Sequence, residues 1–293
     1  MFYTADNAKI QINGEEILAS NASISVSASL QPNYLITERS TNSYSPSNGV
    51  GGSLSFSYYL TGRDYFKTFI TGQGEVPFSE SQTISGNFAG LNFNSGYLNS
   101  YSVSFSPNAP AIATTSVSFF DDLEGEFNPT TGAAPSNTEV LNFKNASVVG
   151  TFAAGEVDNF IAGTYNYNAD VKPVYLINET KPSSVSFGPK TVNINFEIDN
   201  PTGYLPVSGE AASISVDLYN EANARRENFM CSGLIQQRSL ATAVSDYVKQ
   251  SITIIQNSTE ASSTHIAGVI DSSFGLGCVG VGTVGSEVGI ATT

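Results

Sequence analysis

Apolar and polar residues alternate with a period of two along most of this chain, a pattern that predicts strands rather than helices. Lys9 to Ile17 reads as a hairpin around Asn13-Gly14, a pair suited to a two-residue turn. Ser23 to Ile36 reads as one long strand with Ile24, Val26, Ala28 and Leu30 on one face; Pro32 marks a bend or an edge position in it. Ser53 to Leu60, Ser85 to Phe93, Leu98 to Ser106 and Thr114 to Phe120 are the next strands. One segment changes period: Tyr65, Phe66, Phe69 and Ile70 share a helical face, and Gly72 stops it. Thr37 to Gly52, polar with Pro46 and three glycines, reads as a long loop, as does Asn178 to Lys190.

The alternation is written twice. Residues 28–38, Ala-Ser-Leu-Gln-Pro-Asn-Tyr-Leu-Ile-Thr-Glu, return at 169–179 as Ala-Asp-Val-Lys-Pro-Val-Tyr-Leu-Ile-Asn-Glu, an offset of 141 residues. Three more blocks follow in the same order. Ser53 to Tyr58 is answered by Thr191 to Phe196, with Leu54 on Val192. Ser95-Gly96-Tyr97-Leu98 is answered by Ser232-Gly233-Leu234-Ile235, and Ser116 to Phe120 by Gln250 to Ile255, with Val117 on Ile252. Ordered blocks with drifting gaps mark a duplicated domain. The predicted fold class is mainly β: two tandem antiparallel β-sandwich or barrel domains, one short packed helix in the first, and a glycine-rich C-terminal extension. The expected boundaries are 1–127, a linker at 128–137, a second domain at 138–257 and the extension at 258–293. The second copy lacks the helix, because Asp199 to Gly203 breaks that segment; Leu218 to Phe229 is expected to carry a short helix or an ordered loop. Val279, Val281, Val284, Val288 and Ile290 suit a solvated tail poorly, so the extension is expected either to be flexible or to pair with a neighbour.

Composition narrows the function. With 293 residues the chain holds two domains of ordinary size. Charged residues make up 13%, against the usual quarter, and Ser, Asn, Thr and Gly take their place. Such a surface suits burial between subunits. The net charge of −14 leaves no basic footprint for gripping nucleic acid. Cys231 and Cys278 form no CxxC pair, and His265 is the sole histidine, so neither a histidine-based triad nor a His/Cys zinc site is expected. The run Asp121-Asp122-Leu123-Glu124-Gly125-Glu126 lacks the alternating ligands of a calcium loop. The expectation is no enzyme, with no catalytic, cofactor-binding or metal-binding residues and no cofactor. Met1 to Asp6 has no basic region followed by an apolar run, so no signal peptide is expected, and no segment reaches membrane-spanning length; cytoplasmic synthesis and no membrane partner are the corresponding expectations.

The run from Ser53 to Lys67, a strand ending in Tyr59-Leu60-Thr61-Gly62 and leading into a short helix, resembles virion structural proteins of tailed bacteriophages. The order of elements is similar to the tail-tube domain, over residues 8–120 and again over 140–256. The resemblance implies a small β-sandwich or barrel with one packed helix that assembles into stacked rings. Two tandem domains then imply homotrimers giving six-domain rings, with other tail proteins as partners, DNA passing without specific binding, and a place in the virion tail. The helix missing from the second copy departs from that pattern.

Faces opposite the apolar ones fit a conduit independently. Ser25, Ser27, Ser55 and Ser57 in the first copy, and Asn166, Asn168, Asp170, Asn193, Asn195 and Glu197 in the second, carry no cation. Phosphate contacts add affinity, so a wall past which DNA slides should lack them. These ten are the candidate channel-facing or buried polar face. The candidate subunit interface comprises Pro32, Tyr34, Leu35, Ile36, Tyr44, Pro173, Tyr175, Leu176, Ile177 and Val185. The alternatives are a baseplate, neck or capsid-associated structural protein, and a glycan-binding β-sandwich adhesin.

Overall fold

The computed structural model describes residues 9–17, 19–35, 40–62, 64, 66, 70, 83–120, 123–128, 139–153, 155–157, 159–177, 179, 181–199, 208–241 and 249–256. The extension 258–293, the linker save Asn128, and the predicted helix save Phe66 and Ile70 lie outside them. The chain is nearly all antiparallel strand. In order these are β1 (Ile10–Ile12), β2 (Glu15–Ile17), β3 (Ala19–Tyr34), β4 (Thr41–Tyr59), β5 (Ile84–Phe88), β6 (Leu91–Phe105) and β7 (Ile112–Phe119). A 3-10 turn at Phe143–Asn145 precedes β8 (Ala146–Phe152), β9 (Gly155–Val157), β10 (Phe160–Val174), β11 (Ser184–Asp199), β12 (Ala211–Tyr219), β13 (Arg225–Ala241) and β14 (Lys249–Gln256). Asn13 and Gly14 join β1 to β2 with φ of 48° and 84°, the paired positive values a two-residue hairpin turn demands.

Hydrogen bonding joins all fourteen strands into one sheet, and its order contains the duplication. The first half runs β3-β4-β7-β6-β5-β1-β2 and the second β10-β11-β14-β13-β12-β8-β9, the same path with every label advanced by seven. Three β-bulges recur at equivalent places: between Ala19/Asn21 and Phe160/Ala162, between Ala28/Leu30 and Ala169/Val171, and between Leu98/Ser100 and Ile235/Gln237. The first two pairs of bulges keep the offset of 141. A bulge displaces one residue and reverses which face follows, so it survives duplication only where the fold needs that bend.

The register corrects two of the sequence matches. Leu54 faces Ile24 and Val117, and the residue with those neighbours in the second half, Tyr165 and Ile254, is Ile194. Leu54 therefore corresponds to Ile194 rather than Val192, and Val117 to Ile254 rather than Ile252. A slip of two residues leaves every side chain on its own face, so alternation cannot detect it. The expected long loops also need correcting. Thr41 to Gly52 lies within β4 and Ser184 to Lys190 within β11, each hydrogen-bonded to the strand before it. These segments form two-stranded arms and carry no fully buried side chain among the described residues, so they lack the alternation that reports burial. Leu218 to Phe229 is likewise a hairpin: β12 reaches Tyr219, Asn223 reverses the chain at φ 60°, and β13 begins at Arg225. The Asn220 side chain accepts from the Ala224 amide at 2.7 Å and closes the turn.

The halves meet where β6 pairs with β10, Ser100 to Phe105 against Gly163 to Asn168. On the inner side the junction is aromatic: Tyr101 meets Tyr165 edge-on, and Phe105 stacks on Phe196 with centroids 5.4 Å apart. Phe105 and Tyr165 also touch Phe229 of β13 at 5.7 and 5.5 Å. β6 and β13 are four strands apart in the sheet, about 19 Å if it were flat. The sheet therefore curls until its apolar face packs on itself, and the buried side chains of both halves join in one core.

Gly163 sits at the crowded point of the junction, where an added Cβ would come within 2.5 Å of the Asn195 carbonyl and 2.4 Å of the Phe196 ring. Gly163→Ala should force β10 from β11 and cost about 1–3 kcal/mol, the range for overpacking a filled core. A lowered urea midpoint by circular dichroism is the expected result; an unchanged midpoint would show that the junction has room to spare.

Candidate assembly surface

Outside the core, the sheet carries cross-strand rows of hydroxyls and amides that pass through the junction without interruption. One row is Asn21, Ser57, Thr114, Ser102, Asn166, Asn193. The next is Ser23, Ser55, Ser116, Ser100, Asn168, Thr191, and a third is Ser104, Thr164, Asn195, Thr253, Gln237. The side chains bond one another along the rows: Ser55 to Ser116 at 3.1 Å, Ser57 with Thr114 at 2.9 Å, Asn166 to Asn193 at 3.1 Å and Asn195 to Thr253 at 2.8 Å. Such pairs satisfy each other's donors and acceptors and hold the side chains down on the sheet. None of the three rows contains a charge. Glu197 and Asp199 stand on the same face at one end, and Asp199 lies opposite Lys249.

Nine of the ten predicted polar-face residues therefore lie on one side of the curled sheet, with Ser55, Ser57, Asn166, Asn193, Asn195 and Glu197 half-buried, and Ser25, Ser27 and Asn168 exposed. Asp170 stands apart, because the bulge after Ala169 places it in the second arm beside Lys172, 2.6 Å away. Both of those partners are exposed, so the pair contributes little to stability.

The predicted interface residues gather on the two arms. β4 meets β7 only from Gly52 onward, and β10 meets β6 only as far as Asn168, so beyond those points each hairpin continues as a two-stranded arm. Leu30, Pro32, Tyr34, Leu35 and Tyr44 are exposed on the first arm, with Tyr34 at 65% and Tyr44 at 64%. On the second, Leu176 and Ile177 are exposed, whereas Pro173, Tyr175 and Val185 are half-buried. Ile36 lies outside the described residues. The arms touch: the Tyr175 ring lies over Gly49, where a Cβ would come within 2.3 Å of it. Between them opens a cleft of 580 Å³ lined by Ser25, Ser27, Ser29, Ser53, Ser118, Phe120, Val171, Pro173 and Tyr175.

Sequence reasoning missed a buried acid beneath this surface. Asp64, 3% exposed, accepts from the Tyr58 hydroxyl at 2.8 Å, from the Tyr101 hydroxyl and from the Phe66 amide at 3.0 Å. Its own amide donates to Glu227 of β13 at 2.7 Å, across 163 residues of sequence. Burial, and then the neighbouring Glu227 charge, push the Asp64 carboxyl up to about 6, while the hydrogen bonds it accepts pull it back. Burial also raises both tyrosines, so they stay protonated donors. The only sequence signal was Asp64 itself, an acid set between a strand and an apolar helical face. Among the described residues no group of three or more His, Cys, Asp or Glu is placed to hold a metal, and no helix is long and apolar enough to cross a membrane.

No family model and no curated protein matches the chain significantly.

Asp64 makes stability depend on pH in a stated direction. A carboxyl held at about 6 when folded, and near 3.8 when unfolded, contributes stability that is full below 3.8 and lost as pH rises through 6. The span corresponds to roughly 3 kcal/mol. Asp64→Asn removes this component, so the stability of the variant relative to the parent should rise between pH 4 and 7. Urea unfolding at four or five pH values measures it; a flat difference would refute the raised carboxyl.

Proposed function

We propose that this protein is a non-enzymatic structural component that assembles with copies of itself into rings around a channel, in the manner of a phage tail-tube protein. The observation that carries the reading is the polar face: rows of Ser, Thr, Asn and Gln, free of charge, run across strands of both halves of one curled sheet. A polyanion sliding past neutral hydroxyls releases no counterions and gains no binding energy, so it is not retained. The acidic chain supports the same role, because a net charge of −14 repels DNA at longer range. In this proposal the two halves act as two tube-like domains, three chains supply six of them, and other tail proteins meet the ring faces. The site of action is the virion.

A second reading rests on the cleft between the arms. Hydroxyl-bearing walls with Tyr175 and Phe120 exposed to it suit stacking and hydrogen bonding to a sugar, as in a glycan-binding adhesin.

Electron microscopy of the purified protein tests the first reading, with rings or stacked tubes as the expected outcome; monomers that bind a glycan array would replace it with the second. A substitution tests the wall itself. Ser102→Lys with Asn166→Lys sets two cations side by side in the middle row. The assembled variant should bind DNA with an affinity that falls steeply with salt, and the parent should not. Equal DNA binding by parent and variant would place these rows outside the channel.

A further inference from the structure

The β6–β10 junction has two unfilled counterparts at opposite ends of the sheet. β6 bonds β5 along its first half and β10 along its second, from Ser100 to Phe105. Its equivalent in the second half, β13, bonds β12 along its first half only, and among the described residues no strand follows on that edge beside Ser239, Leu240 and Ala241. β10 is bonded on both sides, by β11 and β6; its equivalent, β3, is bonded by β4 alone among the described residues. One edge thus lacks a β10 and the other lacks a β6.

We propose that these edges pair between copies, β13 of one chain against β3 of the next, in the register of the β6–β10 ladder. The correspondence is fixed by position. Ile24 faces Leu54 as Tyr165 faces Ile194, and Leu240 faces Gln250 as Val103 faces Ala113. Since Tyr165 pairs with Val103, Ile24 pairs with Leu240; Asn166 with Ser102 gives Ser25 with Ser239, and Asn168 with Ser100 gives Ser27 with Gln237.

Exposure points to the same partner. Val103 and Tyr165 are 0% exposed within the internal junction, whereas Leu240 is 61% exposed and Ile24 only half-buried. The arms repeat the contrast: Tyr175 is half-buried against Gly49 of the first arm, whereas its counterpart Tyr34 is 65% exposed. Placing β3 of the next copy on β13 sets its arm against the second arm of the first chain and covers Tyr34 in the same way. Leu240 and Tyr34, left bare at the two ends, thus have counterparts inside, Val103 and Tyr175, that are covered. An open, partly apolar edge also invites pairing. The contact is heterologous, β13 to β3, so it repeats from copy to copy until a ring closes. The occupant is a second copy of this chain, and the inference deepens the ring reading by naming its joint.

Ser25→Cys with Ser239→Cys, in a Cys278→Ser background that retains the buried Cys231, tests the register. Oxidation of assembled protein should give a ladder of covalent oligomers. Either single variant should stop at dimers, and the off-register pair Ser27→Cys with Ser239→Cys should link at least tenfold less. A ladder equally strong off register, or none from particles visible by microscopy, overturns the joint while leaving ring assembly intact; protein that stays monomeric overturns both. Hydrogen exchange on the parent needs no substitution. Amides from Ile24 to Ser27 and from Ser239 to Ala241 should gain at least tenfold protection on assembly. No gain, or protection already complete in the monomer from the chain's own residues 257–293, overturns the proposal.

Discussion

Six residue pairs between β6 and β10 make one molecule of two halves. Without that ladder each half would be an open seven-stranded sheet with a long free edge, and the core would divide. With it, Phe105 reaches both Phe196 and Phe229, and the Tyr101–Tyr165 contact closes the seam from inside. Backbone pairing sets the strands about 4.8 Å apart, and the aromatic side chains then fill the space that the curl encloses. The same ladder aligns the outer face. Because register fixes which residues stand opposite each other, Ser102 meets Asn166 and Ser100 meets Asn168, so the polar rows of the two halves become continuous.

The arms follow from the junction as well. β4 runs past its last pair with β7 at Gly52, and β10 past its last pair with β6 at Asn168, so beyond those points each arm is a ribbon of two strands. A two-stranded ribbon is marginal alone in water. The second arm gains support from Tyr175 on Gly49, where the absent side chain lets an aromatic ring rest on backbone. Nothing comparable covers the first arm among the described residues, and its apolar side chains stay in solvent. Tyr34 and Tyr175, equivalent positions of the repeat, thus differ in burial with their place in the sheet.

Much of this was legible from alternation and repetition. The strand content, the Asn13-Gly14 turn and the offset of 141 residues follow from the sequence pattern, because buried faces and tight turns demand particular side chains. The returning strands of the arms, Thr41 to Gly52 and Ser184 to Lys190, were not legible, since a ribbon without a fully buried face makes no such demand and Ser or Asn serves as well as Val. Nor was the β1–β2 hairpin's counterpart: β8 and β9 repeat its register, Ile12 facing Glu15 as Phe152 faces Gly155, with hardly a residue kept. The β6–β10 ladder left no trace either. Main-chain hydrogen bonds are indifferent to side chains, and nothing local in Ser100 to Phe105 names a partner sixty residues away. The Asp64 site escaped for the opposite reason. It depends on one particular acid meeting two tyrosines and Glu227, and a single residue has no period.

That acid also shows where the duplication has diverged. At the internal junction Tyr101 donates to Asp64, and Tyr58 does the same from β4. In the second half the positions of Tyr101 and Tyr58 are held by Arg238 and Ile198: Arg238 faces Ile252 as Tyr101 faces Thr115, and Ile198 faces Phe160 as Tyr58 faces Ala19. The backbone path is thus conserved while the buried polar group is not. A carboxylate sealed against another carboxylate costs free energy unless its donors are all in place. The first half maintains those donors through Tyr58, Tyr101 and Phe66, all around the seam that holds the molecule together. A buried network of this kind tolerates few alternative packings, so it favours this seam over a pairing of β10 with the free edge of β13, which offers the same ladder but an arginine in place of the tyrosine. Among the described residues the sheet therefore carries two edges that match in backbone and differ in side chains, one closed within the chain beside the Asp64 network and the other unpaired.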